Sequence, residues 1–220
     1  GFTTRSKIFG WNEPPRLDNQ HIVITGATSG VGLAAVQQFA ELGAKVTVVA
    51  RNESKGREAI AGLSHNENVS LEIADMSDFR DVMRVSATLF ERGAIDVLIH
   101  NAGAITATAQ RSPQNFEVTV ATQLLSPFLM TQKLEPSLKA HRGRVIFVAS
   151  GGMYTQRLSL SHLDSSVNYN GVTTYARVKR AQVELARYWA NKVDPTDYVV
   201  HALHPGWVDT PGLEIGRAHV

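Results

Sequence analysis

A short apolar run, Ile22-Val23-Ile24-Thr25, passes into three glycines spaced Gly26-x3-Gly30-x-Gly32, and helical periodicity begins at residue 31. No other feature restricts the fold of this chain as strongly. The run is β-branched and too short for a helix, so it reads as a buried strand. The glycines let the backbone turn sharply into a helix over 31–42, which meets a stop signal at Gly43. A strand feeding directly into a helix is the opening unit of a parallel α/β sheet. The free N–H groups at such a helix start, and the positive potential there, suit a phosphate.

The rest of the chain repeats that unit. Residues 45–50, 69–73, 95–100, 144–149 and 198–203 read as further strands. Helices are expected over 53–63, from an N-cap at Ser77 to residue 91, over 113–137 with an interruption at Pro127, and over 173–191. Near-continuous apolar strands alternating with helices mean a parallel sheet covered on both faces. The expected fold is therefore a doubly wound α/β sheet of the Rossmann type, a single domain over 21–214. Residues 1–20 form an N-terminal arm in which Phe2, Ile8, Phe9 and Trp11 alternate with Arg5 and Lys7 before Pro14-Pro15. Two readings of the arm stand open: packing on the domain, and peripheral membrane contact. Both ends read as incomplete. The chain begins with glycine, and Ile-Gly-Arg-Ala-His-Val (215–220) matches one translated frame of a common sequencing adapter, so a non-native tail is expected there.

Composition excludes several classes. A formal charge of +2 with no basic block argues against a nucleic-acid partner. The chain has no cysteine, which removes disulfides and thiolate metal sites and agrees with a reducing, cytoplasmic setting. No metal site is expected. No apolar run reaches the ~18 residues of a spanning helix. The sequons at Asn52 and Asn68 fall inside the α/β domain and read as chance matches.

The carboxyl ends of the strands carry the binding signals. Gly26, Thr28, Ser29, Gly30, Val31 and Gly32 form a turn able to hold a dinucleotide pyrophosphate, although the spacing differs from the general G-x-G-x-x-G fingerprint. The second strand ends in Ala50-Arg51-Asn52. An Asp or Glu there would accept from a ribose 2′-hydroxyl and repel a 2′-phosphate, whereas Arg51 can grip that phosphate, with Ser29 as a second donor. NADP(H) is therefore the expected cofactor. Asp75-Met76 follows the third strand, where the adenine should lie. Asn101-Ala102-Gly103 follows the fourth, where small residues admit the cofactor closely. His204-Pro205-Gly206-Trp207-Val208-Asp209-Thr210 follows the sixth, and Pro205, Gly206, Val208 and Thr210 are candidates for the nicotinamide end.

Tyr175 and Lys179 are four residues apart, on one face of the helix after the fifth strand. A free phenol has a pKa of ~10 and is a poor base near neutrality. A neighbouring ammonium favours phenolate, so Tyr175 can exchange a proton with a carbonyl or alcohol oxygen while Lys179 also holds ribose hydroxyls. Ser150, at the end of the fifth strand, can hold the substrate oxygen near Tyr175. Its plain alternative role is a strand-end cap. The interval 175 − 150 = 25 residues implies a long loop on the substrate side, in which Ser159, Ser161, Ser165 and Ser166 are weaker candidates.

TGATSGVG (25–32), NAG (101–103), Ser150, YARVK (175–179) and HPGWVDT (204–210) together resemble the short-chain dehydrogenase/reductase family, over roughly residues 20–213. The resemblance implies hydride transfer between NADP(H) and a small-molecule carbonyl or alcohol through Ser150, Tyr175 and Lys179, with homo-oligomerisation left open. Two departures stand out. Gln123 falls where the family has an Asn whose main-chain carbonyl holds a relay water. Pro127 lacks an N–H, which would free the carbonyl of residue 123 (127 − 4). The chain also ends before the family's last helical segment and seventh strand, so the sheet is expected to be truncated. The competing reading is a non-catalytic NADP(H)-binding regulator on the same scaffold. A nucleotide-sugar epimerase is disfavoured by glycine spacing and length.

Overall fold

The computed structural model describes residues 14–164 and 168–206. Six strands form one parallel sheet: β1 (His21–Thr25), β2 (Lys45–Ala50), β3 (Val69–Ile73), β4 (Val97–His100), β5 (Arg144–Val148) and β6 (Val199–Leu203). Their spatial order is β3-β2-β1-β4-β5-β6. β1 pairs with β2 from His21↔Lys45 and with β4 from Ile22↔Val97. The chain therefore winds outward from β1 in one direction, returns, and winds outward in the other. The crevice between the carboxyl ends of β1 and β4 is the switch point where such sheets bind ligands.

The apolar runs are continuous because alternate residues serve opposite faces. Ile22, Ile24, Val46, Val48, Val97 and Ile99 pack on one side with Val36 of helix α1 (Gly30–Glu41) and Ile60 of α2 (Glu53–Ala61). Val23, Val49, Leu98, Val145 and Phe147 pack on the other side. They meet Val82, Val85 and Leu89 of α3 (Phe79–Glu91) and Met130, Leu134 and Leu138 from the helix before β5. The last helix adds Ala186 and Trp189 to this second face. The Trp189 indole donates to the Tyr198 hydroxyl at 2.6 Å, which satisfies both polar tips inside the core.

The expected bounds of β2 and β3 agree with the structure, and four local expectations need correction. The cap of α3 is Asp78, whose carboxylate accepts from the Arg80 N–H; the Ser77 hydroxyl instead donates to Asp75. The helix expected over 113–137 begins later. It consists of α4 (Val118–Val120), a π-helical turn (Ala121–Leu125) and α5 (Ser126–Lys139). Residues 111 and 117 form an antiparallel bridge instead, and the buried Glu117 caps α4 by accepting from the N–H groups of Thr119 and Val120. Pro127 does not break the helix: it sits in the first turn of α5, where no N–H is needed, and the widened π turn precedes it. The final helix, α6, spans Gly171–Lys192 and is longer than expected at its start because Asn170 caps it by accepting from the Thr173 N–H.

Candidate active site

The glycine turn is built as the sequence implies. Gly26 and Gly30 have φ of +67° and +56°, the left-handed region that L side chains avoid. A Cβ on Gly26 would come 2.6 Å from the Ala102 Cα, and one on Gly32 would come 2.5 Å from the Asn101 amide nitrogen. These glycines therefore also let β4 pack tightly on the turn. Asn101 sews the two together: its side-chain NH₂ donates to the carbonyls of Thr25 and Gly26, both at 3.0 Å. The Thr25 hydroxyl oxygen accepts from the N–H groups of Asn101 and Ala102. Thr25 is a site residue that sequence reasoning passes over. It opens the TGATSGVG stretch, but its bonds lie 76 and 77 residues away in the chain and leave no local signal.

Ser29 is the N-cap residue of α1, yet its side chain makes no capping bond, and no acidic residue occupies the first turn. The positive end of this 12-residue helix thus faces a cleft of about 1150 Å³. Of the expected binding residues, Gly26, Thr28, Ser29, Arg51, Asn52, Asp75, Met76, Ala102 and Gly103 line that cleft. Gly30, Val31, Gly32 and Asn101 do not line it and shape the turn from behind. Arg51 is exposed, and Lys55 lines the same cleft as a second cation that no sequence motif singles out. Asn52 also has a structural role, because its side chain caps α2 by accepting from the Lys55 N–H at 2.9 Å. The Asp75 carboxylate is likewise engaged, accepting from the N–H and hydroxyl of Ser77. The far floor is Gln123, 1% exposed, whose amide donates to the Ala104 carbonyl at 3.1 Å. A Cβ on Gly103 would lie 2.7 Å from the Gln123 Oε1, so backbone rather than side chain faces the cleft there.

The second group lies apart from this cleft. Ser150, Tyr175 and Lys179 come together, and none of the three lines it. Tyr175 and Lys179 share one face of α6, with the ammonium 5.4 Å from the phenol ring centroid. The Ser150 side chain lies close enough to the Tyr175 phenol to affect its pKa, and its hydroxyl accepts, at 3.4 Å, from the Gly152 N–H. The capping role expected for Ser150 is therefore present. Burial raises the Tyr175 pKa above 10, and the Ser150 side chain works against that rise. In this arrangement burial outweighs any downward pull of Lys179 on the phenol. Lys179 is 2% exposed, and its ammonium donates to the Val148 carbonyl at 2.7 Å and to the Gln182 side-chain oxygen at 3.1 Å. Burial alone brings its pKa down to about 7.

The π turn bears on the departure at Gln123. The Ser126 N–H donates to the Ala121 carbonyl, five residues back. The missing Pro127 N–H faces residue 122 in that register and residue 123 in the four-residue register that resumes at Ser126. A carbonyl acceptor is thus left at the turn. The Pro205-Gly206 backbone is exposed beyond β6, with Gly206 at φ +82°. Val208, Thr210, Ser165, Ser166, residues 1–13 of the arm and the tail over 215–220 lie outside the described residues. Among the described residues no helix is long and apolar enough to cross a membrane, and no cluster of His, Cys, Asp and Glu could hold a metal.

The sequence matches the short chain dehydrogenase family over residues 20–218. It is 33% identical over 221 residues to dehydrogenase/reductase SDR family member 12 of Bos taurus, covering 98% of this chain and 69% of that protein. The protein of the same name from Homo sapiens is 34% identical over 196 residues, covering 87% of this chain and 61% of its own length. Compared with these curated relatives, then, this chain spans between three fifths and seven tenths of their length. Among solved structures, the 3-ketoacyl-(acyl-carrier-protein) reductase of Brucella melitensis, complexed with NADH, superposes with a TM-score of 0.72 at 28% identity. That match covers 90% of this chain and 80% of the reductase. The parallel sheet in the order 3-2-1-4-5-6, the glycine turn at its switch point and the family match together make this chain a member of the short-chain dehydrogenase/reductase family of oxidoreductases.

Proposed function

We propose that the chain transfers a hydride between NADP(H) and a carbonyl or alcohol substrate, with Tyr175 as the acid/base. The observation that carries this reading is the meeting of Ser150, Tyr175 and Lys179 beyond the carboxyl end of β5, on the same sheet edge as the glycine turn. The cleft fits an extended dinucleotide: the α1 N-terminus faces it without a competing carboxylate, and Gly26 and Gly103 present backbone to it. The bound nicotinamide supplies or accepts the hydride.

The residues of the chain do the rest. Ser150 holds the substrate oxygen by a hydrogen bond. In the reducing direction Tyr175 gives its phenolic proton to that oxygen, and the resulting phenolate recovers a proton from solvent. In the oxidising direction the phenolate takes the alcohol proton. Lys179 holds ribose hydroxyls and offers positive charge to the phenolate as it forms. Arg51, with Ser29 and Lys55 around the same cleft, receives the 2′-phosphate, since β2 ends in Ala50 and brings no carboxylate to repel it. Asn101 acts by shaping the glycine turn.

A panel of aldehydes and ketones with NADPH, followed by absorbance at the nicotinamide band, tests the reading in the parent and in Tyr175→Phe. Turnover in the parent that falls about a hundredfold or more in Tyr175→Phe supports it. Equal turnover in both refutes the role of Tyr175. Cofactor binding without turnover on any substrate would leave a non-catalytic NADP(H)-binding protein.

A further inference from the structure

Gln182 carries no part of any motif, yet it is fully buried, on the same face of α6 as Lys179 and three residues beyond it. Its side-chain oxygen accepts from the Lys179 ammonium at 3.1 Å, and its NH₂ group has no partner among the described residues. A buried amide with idle donors destabilises a fold, whereas an apolar side chain of the same size would not. The contact with Lys179 is what this side chain obtains in return.

We propose that Gln182 is a positioning residue for Lys179. Together with the Val148 carbonyl it anchors the ammonium and holds it charged. An ammonium has three donors. Two are committed to these acceptors, which orients the third. The proposal rests on the reading of Lys179 as part of the reactive group. The surroundings leave this role to neutral groups. The phenol of Tyr175 is the titratable group beside Lys179 on α6, and on the same helix Arg180 pairs with Glu184. From the 3₁₀ turn after β5, Tyr154 stacks edge-on against His204. His201 of β6 is exposed, and Glu117 below the π turn is committed to α4. Neither β5 near Val148 nor the π turn brings a charged side chain. Among the described residues no charge–charge interaction acts on Lys179, and so hydrogen-bond acceptors decide how well its charge is tolerated.

The test is the titration of Lys179 in the whole chain, followed by NMR of protein carrying 13C at lysine Cε, with Lys179→Met identifying the resonance. Gln182→Met removes the acceptor at nearly equal volume, and Gln182→Glu puts a carboxylate in its place. Expected are a downward shift of the Lys179 midpoint by about half a pH unit or more in Gln182→Met, and an upward shift of about 1–3 in Gln182→Glu. The alkaline limb of kcat, where the charge on Lys179 is lost, should move in the same directions. Identical midpoints in three folded proteins would overturn the proposal. If neither substituted protein folds, the parent alone decides: a Gln182 side-chain amide resonance that stays fixed as Lys179 titrates overturns it. Because the midpoint is read without turnover, failure of the carbonyl panel would count against the function and not against this contact.

Discussion

Replacing Lys179 by methionine should stabilise the protein while removing its proposed activity. Burial holds the Lys179 pKa at about 7, against 10.5 for the same group in water. At about 1.4 kcal/mol per pH unit, that difference weighs about 5 kcal/mol against the charged side chain in the folded state. The substitution leaves the Val148 carbonyl and the Gln182 oxygen without their donor, a loss of about 2 kcal/mol in total. The net gain is then about 3 kcal/mol at pH 6. That gain depends on pH in a defined window. Between pH 7 and 10.5 the unfolded chain binds a proton at this lysine that the folded chain does not, so the stability of the parent rises with pH. Lys179→Met lacks that slope, and its advantage should shrink by about 2.5 kcal/mol between pH 6 and pH 9. Urea unfolding of both proteins at several pH values measures it. A difference that stays constant with pH, or a parent more stable than Lys179→Met at pH 6, would refute the reasoning.

Gly32→Ala puts a Cβ 2.5 Å from the Asn101 amide and 2.9 Å from the Ala27 Cα. It should cost about 1–3 kcal/mol by overpacking and weaken NADPH binding at least tenfold, read by urea unfolding and fluorescence titration. Gly151→Ala, where nothing lies within 4 Å, should leave the thermal midpoint unchanged. His100 is buried and neutral, with its pKa pushed down to about 3 and its Nε2 2.8 Å from the Thr131 hydroxyl. It contributes stability that is present above pH 6.5 and is lost as pH falls toward 3. His100→Asn should therefore show a shallower decline across that range in acid unfolding followed by circular dichroism.

The parts of the fold set by local chemistry are legible in the sequence. β2 and β3 are apolar runs of strand length, and their alternation of faces follows from that pattern alone. The glycine turn is legible because positive φ and close backbone approach select glycine at 26 and 30. What the sequence hides depends on contacts across the chain. Asp78 displaces Ser77 as a cap because Ser77 is drawn to Asp75. The π turn arises where Pro127 and the buried Gln123 must both be accommodated against α6, and no period in the sequence signals it. Tyr175 and Lys179 read as a pair, but the hydrogen-bond partners of Lys179 are the Val148 carbonyl, 31 residues away, and Gln182. Spacing gives the shared face of a helix; it does not say toward which acceptor a buried ammonium turns.

The central claim is that the cleft between the glycine turn and Arg51 takes NADP(H). Fluorescence titration of the protein with NADPH and with NADH tests it most directly, in the parent and in Arg51→Asp. The predicted result is tighter NADPH binding in the parent and loss of that preference in Arg51→Asp, because the carboxylate repels the 2′-phosphate. Binding of neither cofactor, or an equal NADPH preference in both proteins, would contradict it.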